Sequence, residues 1–398
     1  MTGQDATEAW ASSGLMALTG NPEDPPVAGP GDPAGSLREA GACFERLSEA
    51  AGRPVRLDWP ALAGERAALL GLRRRGTWSP NGSCRMLRAA DGWLALNLPR
   101  AEDFELVPAW LGSDPTWAGA VRAVEHSPVD DLVADAVPLG LAVAAVPETG
   151  RPVLGVEMVA MAASSTPRTV EGAVVVDLSA LWAGPLAASL LTAAGCRVIK
   201  VESTRRPDGA RAGHRGFFDL LNGGKQSVAL DFESPDGRAA LAALVSRADV
   251  VVESSRPRAL AHLGLGPDSE GVRAGQVWVS ITGHGREGVG RDRAAYGDDA
   301  AVAGGMVAWA DDTPMFCGDA VADPLAGVHG AVAALGALAS GWSGTIDVVL
   351  RDIAAECVGR TATAVTTSTP AAPPRARQVT QRAPPLGQHT DAVLADLR

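Results

Sequence analysis

The chain has 398 residues, 46% hydrophobic and 20% charged, enough to bury a sizeable core in two or three domains. Lys and Arg number 35 against 46 Asp and Glu, a formal charge of −11, which sets nucleic acid aside as a partner. Five cysteines (Cys43, Cys84, Cys196, Cys317 and Cys357) include no CxxC pair and read as reduced thiols of a cytoplasmic protein. The N-terminus MTGQDATEAW lacks a basic region followed by an apolar run, so no signal peptide is expected, and no membrane span is predicted from the apolar runs.

Residues 1–36 end in NPEDPPVAGPGDPAG, a composition that reads as a flexible tail. A smaller α+β domain is expected over 37–161. Within it LREAGACFERLSEAAG and WPALAGERAALLGL have helical apolar spacing, and GWLALNL reads as a strand after the Asp91-Gly92 turn. AASSTPRTVEG (162–172) reads as a linker. From 173 to 398 the rhythm changes to AVVVDLS, a helix over 184–195, RVIKVE, QSVALDF, a helix over 234–248, DVVVES, QVWVSITG and GTIDVVL. Alternating helices and continuous apolar strands predict an α/β fold with a parallel Rossmann-like sheet covered on both faces. Ligands of such sheets lie beyond the strand C-terminal ends, in the loops.

Three familiar signals fail on their surroundings. Gly283-His284-Gly285-Arg286-Glu287-Gly288 fits GxGxxG, but no helix opens directly after it and it does not follow the first strand, which argues against a nicotinamide site. Asn222-Gly223-Gly224-Lys225 lacks the first glycine of a phosphate loop, and Gln226 stands where magnesium needs Ser or Thr. Six scattered histidines form no HExxH or Cys/His pair, so no metal is expected.

Five segments in one order carry a more specific signal: VVVDLSALWAGPLAASLLTAAGCRVIKVE, FFDLLNGGKQSVALDF, GRAALAALVSRADVVVESSRPRALAHLGLG, VWVSITGHG and CGDAVADPLAGVHGAVAALGAL. Together they resemble the family III CoA-transferases, the formyl-CoA and carnitine CoA-transferase family, which also includes 2-methylacyl-CoA racemases. The resemblance covers about 172–350 and resumes at RAPPLGQHTDAVL, within a C-terminal segment set at 382–398. It implies coenzyme A, bound as acyl-CoA, as the ligand and a carboxylic acid as the second substrate, with no metal or nucleotide cofactor. It also implies a homodimer.

Asp323 aligns with the nucleophile of the transferases, with Asp319 as the nearest competitor. Locally Asp323-Pro324 reads as a helix start, with Asp as N-cap and Pro at the first helical position, where the positive helix end favours an ionised carboxylate. The resemblance places Trp182, Ala183, Lys225, Ser254, Ser255, Arg256, Ala259, His262 and Tyr296 at positions facing the ligand. Trp182 stands where the formyl-CoA enzyme has glutamine, and His262 where it has arginine. Arg205, Arg206 and Arg258 are plausible phosphate partners. Gly304, Gly305 and Gly318 are candidate oxyanion donors. The racemase branch requires a histidine that would align with Gly297, so racemisation is the weaker alternative. A non-catalytic CoA-binding partner subunit is the other. Only about thirty residues separate Leu350 from Arg382, too few for the family's small domain. Residues 79–147 resemble that domain and suggest that it has moved to the N-terminus.

Overall fold

The computed structural model describes residues 3–148, 154–160, 167–267, 269, 275–359 and 370–397. The expected N-terminal tail is instead packed structure. Gly3–Ser13 is a helix and Met16–Leu18 a 3-10 turn, and Trp10, Leu15, Met16 and Leu18 are all buried. The proline-rich composition belongs only to the loop that follows. The apolar side chains just before it are sufficient to seat the segment. Asp32 ends the loop by accepting the Gly35 N–H at 2.8 Å, and Pro33 opens the helix Pro33–Ala50. A 3-10 stretch, Trp59–Gly64, and a short helix, Glu65–Leu70, follow. Leu37, Phe44, Trp59 and Leu62 join the same core as Leu186 and Leu325, so 37–70 belongs to the large unit and not to the smaller domain expected over 37–161.

A separate small unit begins further along. β1 (Cys84–Arg88), β2 (Trp93–Asn97) and β3 (Ala142–Ala145) form an antiparallel sheet in that order. The helices Ala101–Leu111, Trp117–Val124 and Val129–Leu139 pack around it on their own core of Leu94, Leu96, Val107, Trp110 and Leu132. The next strand, β4 (Val156–Ala160), returns to the large unit. Of the expected linker, 162–166 lies outside the described residues and 167–172 is irregular.

The large sheet takes β5 (Val174–Asp177), β6 (Arg197–Ser203), β7 (Gln226–Leu230), β8 (Val250–Glu253) and β9 (Val277–Thr282) in parallel. A short hairpin, β10 (Val307–Ala310) and β11 (Thr313–Phe316), turns at Asp311 and shares a core with Cys84, Met86 and Ala95 of the small sheet. β12 (Gly344–Val349) then enters between β9 and the antiparallel β4, giving the order β4-β12-β9-β8-β5-β6-β7. Alternate side chains of one strand enter different cores: Val250 and Val252 meet the helices Ala183–Ala193 and Ala322–Ser340, while Val251 meets the helix Pro235–Arg247. That is why these strands read as unbroken apolar runs.

The helix Ala322–Ser340 is long and apolar enough to cross a membrane, which the sequence runs did not suggest. In this fold it is a core helix, buried against Ala183–Ala193 and Pro33–Ala50. The C-terminal segment runs back across the large unit. Ala372 N–H donates to the Ala11 carbonyl, Arg377 pairs with Glu65 at 2.6 Å, and His389 bonds the backbone of Ser227 before the helix Thr390–Ala395.

Candidate active site

The chain runs from β5 to β6 and β7 on one side, then returns to place β8 on the other side of β5. The loops after β5 and β8 therefore diverge and leave a crevice at the strand C-terminal ends. Ala180 and Leu181 line it from one loop, and Ser254, Ser255 and Arg256 from the other. Leu181 has φ 68°, an unfavourable backbone for a branched side chain, and is 42% exposed at the rim.

Two adjoining cavities with shared wall residues line this crevice. The larger, about 1090 Å³, carries Arg205, Arg206, Arg256, Arg258, Ala259 and His262. The smaller, about 250 Å³, reaches inward between the 283–296 loop and Ala183, with Asp323 in its lining. Arg100, Ala180, Leu181, Ser255, Arg256 and Tyr296 border both. Arg100 and Gly140 come from the small unit, which thus closes one wall.

Asp323 lies one residue inside its helix, which begins at Ala322, so it is not the N-cap. It still sits in the first turn, where the helix end favours negative charge. Burial nevertheless pushes its carboxyl up to about 7. The neighbouring Asp298 and Asp319 raise it, while Arg66 and the Gly297 N–H lower it. The expected fully ionised carboxylate is thus a group balanced near neutrality. Gly297 is required there: a Cβ on it would lie 2.5 Å from Asp323 Oδ2 and 2.6 Å from the Ala320 carbonyl oxygen.

Asp323 is one of a cluster. Asp319 is fully buried and clamped by Arg66, with Nε donating to Oδ2 at 2.7 Å and Nη2 to Oδ1 at 2.6 Å. Asn81 Nδ2 donates to Asp298 Oδ2 at 2.6 Å and to Asp319 Oδ1 at 3.3 Å, and Ala320 N–H donates to Asp298 Oδ1 at 2.8 Å. Burial raises Asp298 to about 6 and Asp299 to about 7, with Asn97 donating to Asp299 at 2.7 Å. Of the carboxylates in the cluster, Asp323 is the one that lines the cavity.

A family model described as CoA-transferase family III matches residues 170–390, more than half of the chain. The chain belongs to CoA-transferase family III. It is 32% identical over 189 residues to the succinyl-CoA–D-citramalate CoA-transferase of Chloroflexus aurantiacus, covering 45% of this chain and 47% of that protein. It is 33% identical over 209 residues to the succinate–glutarate CoA-transferase of Agrobacterium fabrum, covering 46% and 51%. A CAIB/BAIF family protein of Brucella suis of known structure is 31% identical over 48% of this chain and 55% of that one, with a TM-score of 0.43. The chain spans about half the length of the curated relatives it matches.

Of the ligand-facing positions expected in this family III chain, Ala183, Arg205, Ser254, Ser255, Arg256, Ala259, His262 and Tyr296 line the two cavities. Two do not. Trp182 is 1% exposed, edge-on to Phe217 with ring centroids 5.2 Å apart and with the Arg66 guanidinium 4.8 Å over its ring. It forms the wall behind the site. Lys225 is buried, its ammonium donating to Asp177 at 2.8 Å, the Pro185 carbonyl at 2.9 Å and Asn222 Oδ1 at 3.0 Å. Its three protons are used, so it ties β5 to the 183–193 helix instead of meeting a phosphate. Gly304, Gly305 and Gly318 also stand away from the cavity. Gly304 abuts the Arg351 carbonyl, Gly305 faces Pro147, and Gly318 N–H donates to Thr19 Oγ1. Gly283, Gly285 and Gly290 line the cavity in their place. Sequence reasoning missed Arg66, Asn81 and Arg100, which arrive from the N-terminal half through long-range folding.

Proposed function

We propose that the protein transfers coenzyme A from an acyl-CoA donor to a carboxylic acid, with Asp323 as the covalent carrier. The observation that carries this reading is a carboxylate lining a narrow cavity that shares a wall with a larger, arginine-lined one. The larger cavity suits the phosphates and adenine of CoA, and the narrow one its pantetheine arm and thioester.

The chemistry balances without an outside energy source. The Asp323 carboxylate attacks the thioester carbonyl and expels CoA thiolate, forming an aspartyl mixed anhydride. The thiolate attacks the aspartyl carbonyl, releasing the donor acid and leaving an aspartyl–CoA thioester. The acceptor carboxylate then displaces the thiolate, which attacks the acceptor acyl carbonyl of the new anhydride and frees both product and Asp323. A raised carboxyl is a stronger nucleophile once ionised, and ionisation near neutrality keeps it available. The Gly283–Gly285 loop backbone beside the carboxylate supports the developing oxyanion.

Racemisation is disfavoured by the same packing. The space next to Asp323 at position 297 has no room for a β-carbon, so the second acid–base side chain cannot stand there. The small unit, 84–145 with its flanking turns, serves here as the counterpart of the family's smaller domain, closing the cavity with Arg100 and Gly140. A cytoplasmic homodimer belongs to the same proposal and is checked by sedimentation. The decisive assay offers a panel of acyl-CoA donors and dicarboxylic acids to wild type and Asp323→Ala. CoA exchange by wild type and none by the variant is expected. Equal exchange by both would end the proposal.

A further inference from the structure

The N-terminal part of the large unit, residues 3–70, bears on the chemistry. Its helix Pro33–Ala50 packs directly on Ala322–Ser340, and the two segments share a layout. Each helix has Asp-Pro at its start, Asp32-Pro33 and Asp323-Pro324. Each is preceded by a left-handed glycine at the same distance, Gly14 at φ 89° and Gly305 at φ 87°, and followed by another, Gly52 at 86° and Gly341 at 76°. The N-terminal version closes on itself. Asp32 caps its own helix, its N–H donates to the Cys357 carbonyl at 3.1 Å, and it is 1% exposed. What this segment supplies to the open site is the side chain of Arg66.

Arg66 is held at its edge by a carboxylate and over one face by an aromatic ring. Its two N–H groups grip Asp319 at 2.6 and 2.7 Å, and its plane lies 4.8 Å over the Trp182 ring. The charged groups facing Asp323 are Arg66 from the N-terminal segment, Asp298 from the 297–303 helix and Asp319 from the loop before its own helix. Asn81 from the small unit adds donors but no charge. Three carboxylates thus face one cation, and the bidentate clamp uses that cation first on Asp319.

We infer that Arg66 is the positioning cation of the reaction: clamped on Asp319 and stacked on Trp182, it lets Asp323 ionise among like charges without itself touching substrate. The inference rests on Asp323 as the nucleophile. In this arrangement the N-terminal part of the large unit, through its short helix Glu65–Leu70, is a component of the active site.

The test is the pH profile of kcat between pH 5.5 and 9.5 for Arg66→Met, Arg66→Lys, Asp319→Asn and the Arg66→Met/Asp319→Asn double variant, each confirmed folded by circular dichroism. Arg66→Met should move the acid limb up by a pH unit or more. That makes it roughly five-fold or more slower at pH 7, with most of the rate regained at pH 9. KM for acyl-CoA should stay within about two-fold, because the large cavity is untouched. Arg66→Lys should fall between. Asp319→Asn should move the limb down, and in the double variant it should bring the limb back toward wild type. A loss in Arg66→Met that is even at all pH values, or a limb indifferent to Asp319→Asn, overturns the inference. If Arg66→Met does not fold, the Asp319→Asn shift alone decides. Transfer by Asp323→Asn would instead refute the nucleophile, a separate outcome.

Discussion

Gly297→Ala adds one methyl at the most crowded point of the site. Its β-carbon would sit 2.5 Å from Asp323 Oδ2 and 2.6 Å from the Ala320 carbonyl oxygen, well inside van der Waals contact. The carbonyl is backbone at the start of a core helix and yields little, so the carboxylate must turn away. It then loses the Gly297 N–H and its aim into the cavity. Displacing a reacting group by about 1 Å costs on the order of a hundred-fold in rate. Overpacking of this kind also destabilises by about 1–3 kcal/mol. Steady-state CoA transfer should show kcat down roughly a hundred-fold, with KM for acyl-CoA within a few-fold because the added methyl points at Asp323 and the Ala320 carbonyl and not at the arginines of the larger cavity. Urea unfolding should show the lower midpoint. A variant with wild-type kcat and an unchanged midpoint would refute the placement of Asp323 against Gly297.

Other consequences are equally open to measurement. With Asp323 at about 7, the wild-type rate should fall through an acid limb near neutrality, to roughly one-fifth at pH 6 of its pH 7 value. Because the folded-state value lies above the unfolded one near 4, ionising Asp323 costs stability as pH rises between about 4 and 7. Asp323→Asn should therefore unfold at higher urea than wild type at pH 8, by no more than about 4 kcal/mol, and no higher at pH 3.5. Lys225→Met leaves Asp177 buried without its cation and should cost about 3–5 kcal/mol of stability while leaving CoA affinity of the folded protein unchanged. Arg256→Ala should weaken CoA binding by about 1.5–3 kcal/mol, read by calorimetry. Arg205→Ala should matter less, because Arg205 is exposed and already paired with Asp231 and Glu233.

The parallel sheet was legible because each strand is buried on both faces and reads as a continuous apolar run, as in VVV at 174–176 and 250–252. β10 and β11 were not, since a four-residue hairpin leaves almost no periodicity. Asp323 was legible only through the ordered motifs around it. Local sequence suggested a cap, and the structure places it two residues past that position, which Val321 occupies. Lys225 and Trp182 were misplaced for a shared reason: a cation or indole at a loop end reads alike whether it faces solvent or turns into the core. Arg66 carried no local signal, because its partner Asp319 lies 253 residues away and only folding joins them. The N-terminal segment was misjudged from average composition, although the few apolar residues from Trp10 to Leu18 are enough to bury it.

The most direct test is to catch the intermediate. Wild-type protein is incubated with an acyl-CoA, quenched with hydroxylamine or borohydride, digested and read by mass spectrometry. The reduced or hydroxamate product should map to Asp323, require acyl-CoA, and vanish in Asp323→Asn. Modification at Asp319 or Asp298 instead, or turnover with no modified aspartate, would contradict the central claim.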